Sequence, residues 1–125
     1  MKDVLIVDDS ALARMIMRRS LGAAGLTAAG IREVPDGLAA LAAVRVKIPD
    51  LVIADVNMPN LDGEGLLMSL RADARLAGVR VLMCSSAMSP AKAERLLRLG
   101  AGAVLKKPFS PHELRSALAG ALAVA

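Results

Sequence analysis

The chain has 125 residues, with 16 Lys and Arg against 12 Asp and Glu, a net charge of +4 and a pI near 9.8. An apolar fraction of 55% and a mean hydropathy of +0.52 exclude intrinsic disorder and supply the core of a single domain, expected over 1–125. Alanine (24) and leucine (20) dominate, whereas one Phe and no Tyr or Trp leave base-stacking modes of nucleic-acid binding without a platform.

The opening Met1-Lys2-Asp3 meets Asp8-Asp9 within ten residues, which does not fit a secretory signal. No apolar run approaches membrane-spanning length, so a cytoplasmic protein with no membrane partner is expected. The first apolar run, Val4-Leu5-Ile6-Val7, is short, β-branched and without alternation, as in a strand buried on both faces of a parallel sheet. A helix is predicted over Ser10 to Ala23, with Leu12, Met15 and Ile16 as its inward stripe. Arg14, Arg18 and Arg19 then form the nearest thing to a basic patch, by default a solvated face. A weaker strand spans Ala28 to Val34, anchored by Ile31 and Val34, and a helix follows over Gly37 to Arg45.

Leu51-Val52-Ile53-Ala54 is the third strand, and the Asp62-Gly63 turn opens a helix over Gly63 to Arg71. Val79 to Cys84 is the fourth. Its lone cysteine reads as a small core residue in a reducing compartment. A helix over Pro90 to Leu99 turns Ala93, Leu96 and Leu97 inward, and Ala103-Val104-Leu105 is the last strand. The final helix buries Leu114, Ala117, Leu118, Ala121 and Leu122. It starts with Ser110 as N-cap, Pro111 in the first turn and Glu113 closing a capping box. Gly25, Gly78 and Gly100 are placed at helix ends, where a left-handed residue is often required. Met15, Met17, Met68, Met83 and Met88 read as gap-filling or near-surface residues. The charges are scattered singly and in pairs, with no block resembling a nucleic-acid-binding tail.

Five strand–helix repeats imply an α/β fold: a parallel sheet with helices on both faces. Ligands of such sheets bind beyond the carboxyl ends of the strands. There the first strand ends in Asp8-Asp9, the third in Asp55 followed by Val56-Asn57-Met58-Pro59, the fourth in Ser85-Ser86 and the fifth in Lys106-Lys107-Pro108. Three clustered carboxylates repel unless a cation neutralises them, and oxygen-only ligands suit Mg²⁺. A lysine and a hydroxyl opposite would complete a cradle for a transferring phosphoryl group. A carboxylate can itself be the nucleophile. Composition and spacing leave open which aspartate attacks.

Val7-Asp8-Asp9-Ser10, Asp55-Val56-Asn57-Met58-Pro59-Asn60-Leu61-Asp62-Gly63, Ser85-Ser86-Ala87 and Lys107-Pro108-Phe109, all four in order at strand ends, closely resemble the receiver domain of two-component response regulators. The resemblance covers essentially the whole chain and implies a flavodoxin-like sheet of order 2-1-3-4-5. It further implies that Asp55 accepts a phosphoryl group from a histidine kinase or histidine phosphotransfer protein. Asp9 and Asp55 would ligate Mg²⁺ by carboxylate and Asn57 by its backbone carbonyl, with Asp8 acting largely through water. Lys107 would pair with the acceptor carboxylate and then with a phosphate oxygen. Ser85 would move to hydrogen-bond the phosphoryl group, and the small Ser86 would leave the acceptor accessible. The Lys107-Pro108 peptide bond is expected to be cis. Where many receivers carry an aromatic switch residue this chain has Val104, so coupling would run through the Ala87-Met88-Ser89-Pro90 loop and the fourth helix.

The reading is a stand-alone phosphorylation-controlled switch, itself no turnover enzyme, that assists its own phosphorylation and dephosphorylation. It would signal to an output protein through the fourth helix, fifth strand and fifth helix, with no direct nucleic-acid partner. The alternative is a receiver cut from a longer regulator with a separate output domain. A Mg²⁺-dependent phosphatase with an aspartyl nucleophile would carry two aspartates two residues apart on the first strand, which Asp8-Asp9 does not match. His112, alone in the first turn of the last helix, has no forecast partners for a metal or relay role.

Overall fold

The computed structural model describes residues 3–26 and 30–123. Its strands are β1 (Asp3–Val7), β2 (Gly30–Val34), β3 (Leu51–Asp55), β4 (Arg80–Ser85) and β5 (Ala103–Lys106). The intervening helices are α1 (Ala11–Ala23), α2 (Gly37–Val46), α3 (Gly63–Ala72), α4 (Pro90–Arg98) and α5 (Pro111–Ala123). All strand pairs are parallel and the order is β2-β1-β3-β4-β5, the expected flavodoxin-like sheet. Ala28 and Ala29, which the expected second strand included, lie outside the described residues.

Period-two alternation sorts the strand side chains between two cores. Leu5, Val7, Val52, Ala54, Val81 and Met83 face α2, α3 and α4, where Ala40, Val44, Leu66, Leu70 and Leu96 meet them. Val4, Ile6, Ile53, Leu82, Cys84 and Leu105 face α1 and α5, against Met17, Leu21, Leu114 and Leu118. Both faces of the sheet are covered, so its central strands read as unbroken apolar runs.

Short polar caps start the helices. Ser10, Asp36, Asp62 and Ser89 each accept a hydrogen bond from the backbone N–H three residues on, a contact worth about 1 kcal/mol. At α5 the capping box forms as expected: Glu113 N–H donates to Ser110 Oγ at 3.0 Å and Ser110 N–H to Glu113 Oε1 at 2.9 Å. β3, β4 and β5 each run one residue further than the apolar pattern suggested, so Asp55, Ser85 and Lys106 end strands rather than begin loops.

Three expectations are corrected. The inward face of α1 is Met17 and Leu21, whereas Leu12, Met15 and Ile16 are 61%, 40% and 49% exposed. Helical spacing permits two apolar stripes there, and only the one over the sheet is buried. On α4, Leu96 is buried but Leu97 is exposed for the same reason. Gly25 (φ 84°) and Gly100 (φ 107°) are left-handed as expected; Gly78 is not, and Asn60 (φ 66°) takes that conformation instead.

Gly63 is fixed by close approach. A β-carbon there would lie 2.3 Å from the Asp55 carbonyl oxygen and 2.6 Å from Met83 Cε. Around Gly22, inside α1, the corresponding space is open. Gly63→Ala is therefore predicted to destabilise by about 1–3 kcal/mol, whereas Gly22→Ala should stabilise by about 0.5–1 kcal/mol; urea unfolding of the two variants checks both signs.

Candidate functional site

The register of the sheet lines up the carboxyl ends of its strands. Val7 pairs with Ala54, Asp55 with Cys84 and Ser85 with Lys106. The residues just beyond or at these ends share one edge. Carboxylate oxygens of Asp8, Asp9 and Asp55 lie within 4.8 Å of one another. Lys107 Nζ bridges two of them, 2.8 Å from Asp8 Oδ2 and 3.2 Å from Asp55 Oδ1. Asp8 is buried, Asp55 partly so and Asp9 exposed. The peptide bond following Lys107 is cis, as expected.

The surrounding backbone holds these groups in place. Ser10 N–H donates to Asp8 Oδ1 at 3.0 Å, and Arg14 Nη1 donates to the Asp8 carbonyl at 2.6 Å. The Asn57 N–H favours the ionised Asp55 carboxylate, so the Asn57 backbone borders the acidic cluster while the residue is exposed. Ser85 is fully buried. Its Oγ accepts from Ala87 N–H at 3.0 Å and its carbonyl from Lys107 N–H at 3.0 Å. Ser86 is exposed beside it, and His112 is exposed on α5.

Burial raises the Asp55 carboxyl above its ordinary range, against the opposing charge and hydrogen bond of Lys107. Burial alone would depress Lys107, but the hydrogen bond to Asp8 and the charges of Asp55 and Asp8 together hold its ammonium above the usual lysine value. One ammonium shared by two carboxylates leaves neither fully compensated. Hard oxygen donors with a net negative balance fit a divalent cation such as Mg²⁺.

A hollow of about 340 Å³ opens beside the cluster, between the sheet, α1 and the β5–α5 loop, with Ile16, Met17, Ile53, Cys84, Pro108 and Phe109 among its lining. Burial pushes the Cys84 thiol up to about 12. Sequence reasoning missed the Asp8–Lys107 contact and the Arg14 clamp. Arg14 and Arg18 both bond Glu33, so two members of the expected basic patch are engaged within the fold.

Comparison with known proteins places this arrangement. The family model of the response regulator receiver domain matches residues 4–119. The chain belongs to the response regulator receiver family. It is 36% identical over 119 residues to "Probable transcriptional regulator ycf27" of Guillardia theta, covering 95% of this chain and 44% of that protein. It is 42% identical over 107 residues to protein-glutamate methylesterase/protein-glutamine glutaminase 5 of Myxococcus xanthus (strain DK1622), covering 84% and 30%. The chain thus spans less than half the length of these curated relatives. Among solved structures, chemotaxis protein CheY4 of Vibrio cholerae superposes with a TM-score of 0.83 at 33% identity, covering 98% of this chain and 99% of that one. Among the described residues of this receiver, no helix is long and apolar enough to cross a membrane.

Two outcomes test this description. A carboxyl whose folded pKa is raised costs stability above that pKa, and the cost disappears as pH falls and it protonates. Asp55→Asn should therefore raise the melting temperature at pH 7 without metal, by a margin that shrinks as pH falls through the carboxyl range. Cys84, buried and held as the thiol, should resist a disulfide-exchange reagent in the folded receiver and react at the normal rate in urea.

Proposed function

We propose that this receiver takes a phosphoryl group onto Asp55 from a histidine kinase or histidine phosphotransfer protein and passes the signal on by altered protein binding. The observation that supports this most is the convergence of Asp8, Asp9, Asp55 and Lys107 at one sheet edge. Asp55 is the aspartate that ends a strand, is only half-buried and contacts Lys107. In the transfer an Asp55 carboxylate oxygen forms a bond to phosphorus, the donor's N–P bond breaks, and the freed imidazole nitrogen takes a proton. Lys107 then follows the charge onto a phosphate oxygen, and Ser85 Oγ exchanges its bond to Ala87 N–H for one to the phosphoryl group.

Asp9 and Asp55 by carboxylate and Asn57 by its carbonyl would hold Mg²⁺, with Asp8 acting largely through water. Bound there, the ion lessens the repulsion between an anionic nucleophile and an anionic donor. The receiver is its own substrate rather than a turnover enzyme. A donor would approach over α1, where Leu12, Met15 and Ile16 are exposed and Ile16 lines the hollow beside the acidic edge. Output would use α4, β5 and α5. Val104 and Met88 both pack against the core on the α4 side, which supports coupling through the Ala87–Pro90 loop. The cytoplasm is the fitting compartment. A second reading, a receiver acting within a longer regulator, is favoured by the fraction of its relatives' length that the chain covers.

Incubation with acetyl phosphate and Mg²⁺ tests the acceptor. Intact mass should show one labile phosphoryl group, absent without Mg²⁺ and absent in Asp55→Asn; labelling that persists in that variant would contradict the assignment.

A further inference from the structure

The β3–α3 loop carries Asn57 to the acidic edge, yet its far end is held from the start of α2. Asp36, the N-cap of α2, accepts from Ala39 N–H through Oδ1 at 2.8 Å and from Asn60 Nδ2 through Oδ2 at 2.7 Å. One residue on, Gly37 N–H donates to the Leu61 carbonyl at 3.0 Å. A β-carbon at Gly37 would lie 2.4 Å from that oxygen, so glycine permits the approach. Asn60 sits at φ 66°, a conformation asparagine tolerates better than other side-chain-bearing residues.

The near end of the loop is also fixed. Val56 N–H donates to the Cys84 carbonyl and Gly63 N–H to the Val56 carbonyl, each at 2.9 Å. Asn57, Met58 and Pro59 therefore form a short span between anchored points at Val56 and Asn60. Three residues between fixed ends have little freedom, so a shift at Asn60 is passed to the backbone at Asn57. A cap needs only one oxygen, and serine supplies it at α1, α4 and α5. At α2 the second oxygen of Asp36 reaches a different loop.

We infer that the Asp36–Asn60 latch positions the Asn57 backbone carbonyl for the divalent cation. This inference rests on the Mg²⁺ reading above. Asp36 and Asn60 are positioning residues that act through the loop. Without the latch, the cation would have to order the Asn57–Asn60 backbone as it binds, and its affinity would fall.

Two substitutions isolate the latch. Asp36→Ser keeps a capping oxygen but is too short to reach Asn60; Asn60→Gly keeps the left-handed backbone and removes the amide. Mg²⁺ titration followed by backbone amide NMR, with no phosphoryl donor present, should show binding about three- to tenfold weaker in each, at or below the low end of the effect of outer-sphere partners. The double variant should lose no more than either single, because both remove the same contact. Without metal, the amides of Asn57, Met58, residue 60 and Leu61 should exchange faster in both variants. Acetyl phosphate labelling should slow at limiting Mg²⁺ and recover at saturating Mg²⁺, a rescue that general loss of structure would not give. Mg²⁺ affinity within twofold of the parent in Asn60→Gly overturns the inference even if Asp36→Ser fails to fold, as do additive losses in the double variant. A parent chain whose amides at Asp9, Asp55 and Asn57 ignore Mg²⁺ overturns the metal reading and the inference together. A responsive parent with unaltered variants overturns the inference alone.

Discussion

A single ammonium serves two carboxylates at the edge of this sheet, and the site depends on that imbalance. Lys107 lies 2.8 Å from Asp8 and 3.2 Å from Asp55, with Asp9 close by. Its charge is enough to hold the cluster together but not to neutralise it. The deficit makes a divalent cation a fitting guest, and burial raises the Asp55 carboxyl despite the neighbouring lysine. Because that ammonium is divided between two carboxylates, Asp55 receives only part of its charge.

The fold creates the imbalance by geometry. Parallel strands in register bring residues separated by up to 99 positions, such as Asp8 and Lys107, to one edge. The central strands β1, β3 and β4 are buried on both faces, so their polar residues emerge at the ends. Loops then decide the fine placement. Arg14 fixes the Asp8 carbonyl, Ser10 the Asp8 carboxylate, and Gly63 lets α3 start against the Asp55 carbonyl. These supporting contacts come from the β1–α1 loop itself and from the starts of α1 and α3.

β1, β3 and β4, with the polar residues after them, were legible because burial on both faces leaves an unbroken apolar run, whereas β2, half-exposed and anchored by Ile31 and Val34, gave the weaker signal. The α5 start was legible because Ser110, Pro111 and Glu113 act together. The orientation of α1 was not: Leu12-Met15-Ile16 and Met17-Leu21 are both acceptable helical stripes, and only packing into the core beneath α1 and α5 chooses between them. The same limit hid Leu97. Long-range polar contacts were also illegible, because nothing local to Asp36 announces Asn60, and Arg14 reads as solvated until Glu33 and the Asp8 carbonyl are brought beside it. Asn60 itself offered a signal in its type, since asparagine after proline in a loop is a natural left-handed residue.

If the ammonium and the cation share the same carboxylates, removing one should favour the other. The most direct measurement is therefore the Mg²⁺ affinity of Lys107→Met against the parent chain, by calorimetry at low ionic strength without a phosphoryl donor. Severalfold tighter binding in Lys107→Met is the predicted result. Equal or weaker binding would contradict the account, because it would place the cation outside the reach of the charge that Lys107 supplies.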